Sequence, residues 1–188
     1  MSLAPWREAI AAALHRNRSR PDSRYWQLAT VRPDGSPAVR TVVFRGFRSG
    51  CDDLLLITDR RSDKLRELAH QPRSELCAYL PVSREQFRLG GWMEVHTVAD
   101  DGEGLRADLW SRLSEAARQQ FTWPQPGAAA APLSVFSVPA PDTPPESFVV
   151  LTLVPEQVDH LLLRPTPQQR RLHRRRDDGT WDSTDINP

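Results

Sequence analysis

The chain has 188 residues, 39% of them hydrophobic and 26% charged, with a formal net charge of +1. A chain of this length buries roughly 70% of its unfolded surface, so it needs no disulfide or metal staple to fold. No apolar run of about eighteen residues occurs, which excludes a membrane-spanning helix. Two cysteines, Cys51 and Cys77, make neither a disulfide framework nor a zinc set and point to a reducing cytoplasm. The near-neutral charge gives no global pull toward nucleic acid.

The opening carries a helical pattern. Pro5 suits a first helical position, and Trp6, Ile10 and Leu14 share one helical stripe, so a helix is expected over residues 5–17. Its apolar run, 10–14, is too short for the core of a secretory signal. Residues 25–32 read as a strand and Pro33-Asp34-Gly35-Ser36 as a turn in which Gly35 is free to take positive φ. Residues 38–47 return as a strand, with Val39, Thr41 and Val43 alternating against Arg40, Val42 and Phe44. A third strand spans 54–58. Ser62 is expected to cap a helix that runs to about His70 and that Pro72 stops. Strands follow at 74–82 and 86–98, then a helix at 102–120 with Leu105, Leu109, Leu113 and Ala117 on one face.

The composition then changes. Residues 124–145 hold seven of the seventeen prolines and the run Ala128–Ala131, which reads as a long loop, a lid or a partly disordered excursion. Four more strands are expected at 147–154, 157–163, 168–175 and 180–186. Many strands, hairpin turns and few helices predict a mainly β single domain over 1–188, an antiparallel barrel with peripheral helices.

Motifs for common chemistries are missing. There is no GxGxxG, no Walker loop and no HExxH, and no GxSxG elbow supports Ser-His-Asp catalysis. The five histidines are scattered without metal-ligand spacing, so no metal is expected. Among 25 basic residues there is a single lysine, Lys64, a coding bias that singles it out. Arg40 and Arg45 on one strand, with Ser62 and Lys64 at a helix start, could cradle an anion. Solvated charge is the ordinary alternative in so arginine-rich a chain.

Several motifs in sequence order are similar to the pyridoxamine 5'-phosphate oxidase-like family of FMN-binding split barrels. Leu28-Ala29-Thr30-Val31 and then Arg40-Thr41-Val42-Val43-Phe44-Arg45-Gly46-Phe47 resemble its opening. Leu56-Ile57-Thr58-Asp59 followed by Ser62-Asp63-Lys64 resembles its second signature, and Gln86 within 84–90 its third. Arg171-Leu172-His173-Arg174-Arg175, followed by 181–188, resembles the C-terminal signature of the oxidase itself. Ala4-Pro5-Trp6-Arg7 and Trp123-Pro124-Gln125-Pro126-Gly127 resemble an oxidase-related subgroup.

The resemblance implies a homodimer with FMN at its interface. Arg40 and Lys64 would hold the FMN phosphate, with Ser62 close by. Thr41, Val42 and Val43 would follow the flavin, Arg45 would stand near its polar edge, and Ile57 and Thr58 would offer backbone and hydroxyl contacts. Gln86 and Arg175 would reach the flavin from the partner subunit. Arg171 and His173 would hold a small-molecule substrate, and Arg112 is the sole candidate for a substrate-phosphate cluster. No catalytic acid or base is assigned.

Three positions depart from the family pattern. Arg45 stands where a lysine is usual. Asp63 stands where an arginine is usual, and it should repel a phosphate unless it turns away or pairs with an arginine such as Arg61. Pro165 replaces a tryptophan. The leading expectation is an FMN-dependent oxidoreductase that passes a hydride to the flavin, with its substrate open. A pyridoxamine phosphate oxidase proper, a flavin reductase-like enzyme and a non-catalytic flavin-binding module are the alternatives. Nucleic-acid binding through the basic run 168–176 is weaker still, because the run lacks a stacking platform and is followed by Asp177 and Asp178.

Overall fold

A computed structural model describes residues 3–101 and 104–188. After helix α1 (Arg7–Arg16) the chain builds strands β1 (Tyr25–Val31), β2 (Pro37–Val43), β3 (Gly46–Phe47) and β4 (Leu54–Asp59). Helix α2 (Asp63–His70) leads to β5 (Arg73–Leu80) and β6 (Glu85–His96), then to α3 (Leu105–Ser111) and α4 (Glu115–Gln119). Strands β7 (Phe148–Leu162), β8 (Gln169–Arg175) and β9 (Trp181–Ile186) complete it. Among the described residues the nine strands form one antiparallel sheet, in the order β2-β1-β5-β6-β7-β4-β3. The sheet forks at β7. Its first half pairs with β4, from Asp59↔Phe148 to Leu54↔Leu153, and its second half with β8, from Gln157↔Arg174 to Leu162↔Gln169. A sheet curled and forked in this way is a split barrel. No helix among the described residues is long and apolar enough to cross a membrane.

Alternation fixes which face of each strand goes inside. Trp26, Leu28 and Thr30 of β1 and Leu76, Ala78 and Leu80 of β5 are buried, while Tyr25 and Tyr79 stay exposed. Trp6, just before helix α1, and Ile10 and Ala13 within it cover this core, all fully buried. Each such large apolar side chain contributes roughly 1.5–3 kcal/mol. Strand β4 and the first half of β7 are buried on both faces because α3 covers the other side. There Leu109, Trp110 and Leu113 close over Leu55, Phe148 and Val150.

Three expectations need correction. The strand expected at 38–47 breaks after Val43. Phe44 N–H turns to Arg24 C=O, Arg45 N–H goes to Leu55 C=O, and Gly46 sits at φ +122, where other residues are strained. The break lets the Phe44 ring stack on Trp26 at 4.1 Å. The two strands expected at 147–163 are one. Pro155, which cannot donate to the ladder, falls opposite a register shift at Gly90/Gly91, and a Cβ on Gly91 would lie 2.0 Å from Val154 C=O. The helix expected at 102–120 is two. It breaks at Arg112–Ser114, and Ser114 Oγ accepts from Ala117 N–H to start α4; its expected start at Gly102 lies outside the described residues. The Pro-rich stretch 124–145 carries a short 3-10 turn at Leu133–Ser137 and is tied to the helices before it. Gln119 Nε2 donates to Phe136 and Val138 carbonyls, and Trp110 Nε1 to Asp142 C=O.

Candidate functional site

Strand β4 ends at Thr58-Asp59, turns through Arg60-Arg61 and enters α2. Ser62 stands at the helix N-cap but makes no side-chain capping bond. Its hydroxyl instead accepts from Lys64 Nζ at 2.7 Å, and Thr58 Oγ1 accepts from the same ammonium at 2.7 Å. Burial and the nearby charge of Arg40 push the Lys64 pKa down, against weaker pulls from Asp59, Glu67 and Asp63.

Arg40 reaches this cluster from β2. Its Nη2 donates to Glu67 Oε2 at 2.6 Å and its Nη1 to Thr30 Oγ1, while Thr30 donates to the same Glu67 oxygen at 2.5 Å. Glu67 is buried. Burial would raise its pKa, but the hydrogen bonds from Thr30 and Arg40 and the charges of Arg40 and Arg32 outweigh this and hold it below the usual range. Residues from β1, β2, β4 and α2 thus meet in one knot of two cations and one carboxylate.

The sequence alone does not place Glu67 or Thr30 in the site, yet the signals are there. Ala38, Arg40 and Val42 share the inward face of β2, and a cation on an inward face requires a counter-charge. Glu67 lies one helical turn after Lys64, and Thr30, paired with Ala38, is diagonal to Arg40.

The neighbouring residues divide the remaining roles. Arg61 grips Asp59 with two bonds, at 2.9 and 2.7 Å, and also donates to Trp123 C=O. The partner expected for Asp63 is therefore taken, and Asp63 instead pairs at the exposed helix surface with Arg66 at 3.5 Å. Arg45 follows the break after β2. Burial lowers its pKa, helped by the charge of Arg24, and its buried Nε has no hydrogen-bond partner among the described residues. A buried donor of this kind costs about 1–3 kcal/mol until an acceptor arrives. Thr41 is exposed, Val43 half-buried, and the Val42 side chain belongs to the core, leaving only its backbone for contact. Ile57 packs against the second apolar cluster. Among the described residues β2 is an edge strand and β3 pairs only with Leu54 and Leu55 of β4, so both strands keep backbone groups that the sheet does not use.

The other expected residues lie elsewhere. His173 pairs with Val158 of β7, nine residues from Val149, the partner of Thr58. At strand rise this is roughly 30 Å. His173 Nδ1 meets Ser183 Oγ at 2.8 Å, and burial, then His160 and Arg171, push its pKa down to about 4. Arg171 forms two bonds to Asp185, at 2.7 and 3.1 Å. Arg171 and His173 border a cavity of about 220 Å³ shared with Pro5, Ala9 and His160. Arg175 borders a different cavity, of about 570 Å³, with Cys51, Asp52 and Trp181. Gln86 sits half-buried opposite Leu161, whose β8 partner is Arg170; Arg175 is five residues farther, roughly 17 Å along the strand. Arg112 ends α3 and is exposed and paired with Asp108 at 2.7 Å.

The chain therefore gathers Arg40, Thr58, Ser62 and Lys64, while its strand registers set Gln86, Arg171, His173 and Arg175 along the second half of β7 and its neighbours. The basic run on β8 is no bare stripe. Arg170 binds Asp159, Arg171 binds Asp185 and Arg176 binds Asp182.

The fold and the cationic knot define an FMN-binding split barrel. Residues 3–97 match the family model described as pyridoxamine 5'-phosphate oxidase, FMN-binding domain. The chain belongs to the pyridoxamine 5'-phosphate oxidase family, and FMN is its cofactor. It is 35% identical to pyridoxine/pyridoxamine 5'-phosphate oxidase 2 of Arabidopsis thaliana, over 99% of this chain and 98% of that one. The crystal structure of a pyridoxamine 5'-phosphate oxidase-related, FMN-binding protein from Nostoc punctiforme superimposes with a TM-score of 0.96 at 49% identity, over 100% of both chains. PhzG from Burkholderia lata shares the fold alone, with a TM-score of 0.79 at 17% identity over 98% of this chain and 93% of that one.

The donor set fits FMN. Two clustered cations suit a dianion, Ser62 and the start of α2 add neutral donors, and the orphaned Arg45 Nε awaits an acceptor.

Proposed function

We propose that this protein is an FMN-dependent oxidoreductase of the pyridoxamine 5'-phosphate oxidase-related type, acting as a homodimer on a small-molecule substrate. The observation that carries the reading is the gathering of two cations at the start of α2, where Arg40, held by Glu67, stands close enough to lower the pKa of Lys64, held by Thr58 and Ser62. Arg40, Lys64 and Ser62 bind the phosphate. Thr41, Val42, Val43, Ile57 and Thr58 line the isoalloxazine, and Arg45 faces its polar edge. Bound FMN supplies a two-electron hydride acceptor at N5. Arg171 and the neutral His173 orient the substrate, so the protein's contribution is positioning and electrostatics.

A second copy completes the site. The β7 partners of Thr58 and His173 are nine residues apart, which supports a second chain supplying Gln86, Arg171, His173 and Arg175 to the flavin held by Lys64. The relative from Arabidopsis thaliana carries the oxidase name along nearly its whole length, which supports catalysis over passive flavin binding. The pairing of Arg112 with Asp108 favours a substrate other than pyridoxamine phosphate. Free Cys51 and Cys77 suit a reducing cytoplasm.

Purified protein should show flavin absorption near about 370 and 450 nm and sediment as a dimer. A colourless protein that takes up no added FMN, or a flavin-loaded monomer at micromolar concentration, would overturn the corresponding part of the reading.

A further inference from the structure

We propose that Glu67, together with Thr30, is a positioning residue that aims the Arg40 guanidinium at the FMN phosphate. The inference rests on the phosphate reading above and extends it to residues that touch no ligand. Arg40 occupies an inward position of β2, between Ala38 and Val42. Its Nη2 is bound by Glu67 Oε2 at 2.6 Å and its Nη1 by Thr30 Oγ1. Thr30 is itself tied to the Glu67 oxygen, so the three groups close a ring. A guanidinium carries five N–H donors in a rigid plane. The ring uses one from each terminal nitrogen and leaves the Nε–H side of the fork, the side that takes a phosphate in bidentate fashion.

Helix α2 makes this coupling specific. Lys64 and Glu67 are one turn apart, so the helix that places the phosphate ammonium also places the carboxylate that steers the phosphate guanidinium. Glu67 is buried and Thr30 is buried, so the ring is not a mobile surface pair. A loose arginine would lose rotamer freedom each time it met a phosphate; here that freedom is already lost.

A purely charge-balancing role for Glu67 makes the opposite forecast. Glu67 is an anion close to where a dianion binds, and removing its charge would then tighten FMN. Positioning requires that removing it weaken FMN.

The test uses flavin fluorescence quenching on the full-length apo chain with FMN and riboflavin as separate probes. Glu67→Ala and Thr30→Val should each raise the FMN Kd about tenfold or more, the equivalent of one charge-assisted bond, and leave the riboflavin Kd within about twofold. Glu67→Gln should fall between parent and Glu67→Ala, and Thr30→Ser should restore parent affinity. In an Arg40→Ala background, Glu67→Ala should add nothing. Tighter or unchanged FMN binding by Glu67→Gln, equal losses for FMN and riboflavin, or a Glu67 effect that survives without Arg40 would each overturn the proposal. Should Glu67→Ala fail to fold, Glu67→Gln and the Thr30 pair carry the same comparison. Equal FMN and riboflavin affinity in the parent protein would instead sink the phosphate reading. The Arg40–Glu67 coupling would then still be measurable as a stability cycle.

Discussion

Lys64 and Thr58, six residues apart, are joined across the turn between β4 and α2 by a 2.7 Å bond from Nζ to Oγ1. The bond points the chain's one lysine back toward β4 instead of out into solvent. Burial and Arg40 both lower its pKa, so the ammonium stands to gain from an incoming anion. Replacing Lys64 or Arg40 by alanine should weaken FMN by about 2–3 kcal/mol, as for a charge-assisted hydrogen bond. Riboflavin lacks the phosphate and should be indifferent to both changes. Isothermal titration with the two flavins checks this; parallel losses for both would assign the pair to the fold and not to the phosphate.

Acid should destabilise the protein in two stages. His173 has its pKa lowered from 6.5 to about 4, first by burial and then by His160 and Arg171. Between those values the unfolded chain binds the extra proton, so stability is fully present above about pH 6.5 and is lost as pH falls toward about 4. Glu85 behaves likewise lower down. Burial works against its ionisation, but bonds from His160, Arg16 and Ser83 win and hold its pKa at about 2, so its contribution goes as pH falls from about 4.5 toward 2. Each is on the order of 3 kcal/mol. Urea denaturation across this range should show a slope between pH 6.5 and 4 that His173→Gln flattens. An unchanged slope would mean that His173 charges freely in the folded state.

Gly91 should tolerate no side chain. A Cβ there would lie 2.0 Å from Val154 C=O and 2.9 Å from Pro155 Cα, both backbone atoms. Neither can move without opening the β6–β7 ladder, so Gly91→Ala should cost about 1–3 kcal/mol or more. Gly90, whose nearest neighbour would be the flexible Glu75 side chain at 3.7 Å, should accept alanine with far less loss. Equal denaturation midpoints for the two variants would show that the bulge adapts.

The contrast between these two glycines shows what a sequence exposes and what it hides. Strands β1, β4, β5 and β9 are legible because alternation or a short apolar run marks them locally. The continuity of β7 through Pro155 is not local, since it depends on a bulge 64 residues earlier on β6. The break after Val43 is likewise dictated by a partner, Leu55, on another strand. Within the site, Arg40, Ser62 and Lys64 were legible through the order of their motifs. Glu67 was not, because its meaning comes only from the arginine that β2 delivers to it. Asp63, conspicuous as a misplaced charge, is exposed at the helix surface beside Arg66.

Pyridoxamine 5'-phosphate should be a poor substrate. Fixing its phosphate takes several donors at once, because hydride transfer needs the donor carbon held roughly 3–3.5 Å from its acceptor. The sole basic residue assigned to that task, Arg112, is exposed at the end of α3 and committed to Asp108 at 2.7 Å. Arg171, the other basic residue proposed to meet substrate, is itself held by two bonds to Asp185. An exposed arginine that must leave a carboxylate and then be ordered gains little by meeting a phosphate. His173, neutral at pH 7, adds a hydrogen bond and no charge. Steady-state oxidase assays on FMN-saturated protein decide the matter. A kcat/KM well below about 10⁴ M⁻¹s⁻¹, the low end of ordinary enzymes, is expected, and Asp108→Asn should raise it by freeing Arg112. A value at or above that level in the parent protein would make the chain a working pyridoxamine phosphate oxidase whose phosphate donors come from elsewhere, the anchored Pro-rich segment 124–145 being the first place to search.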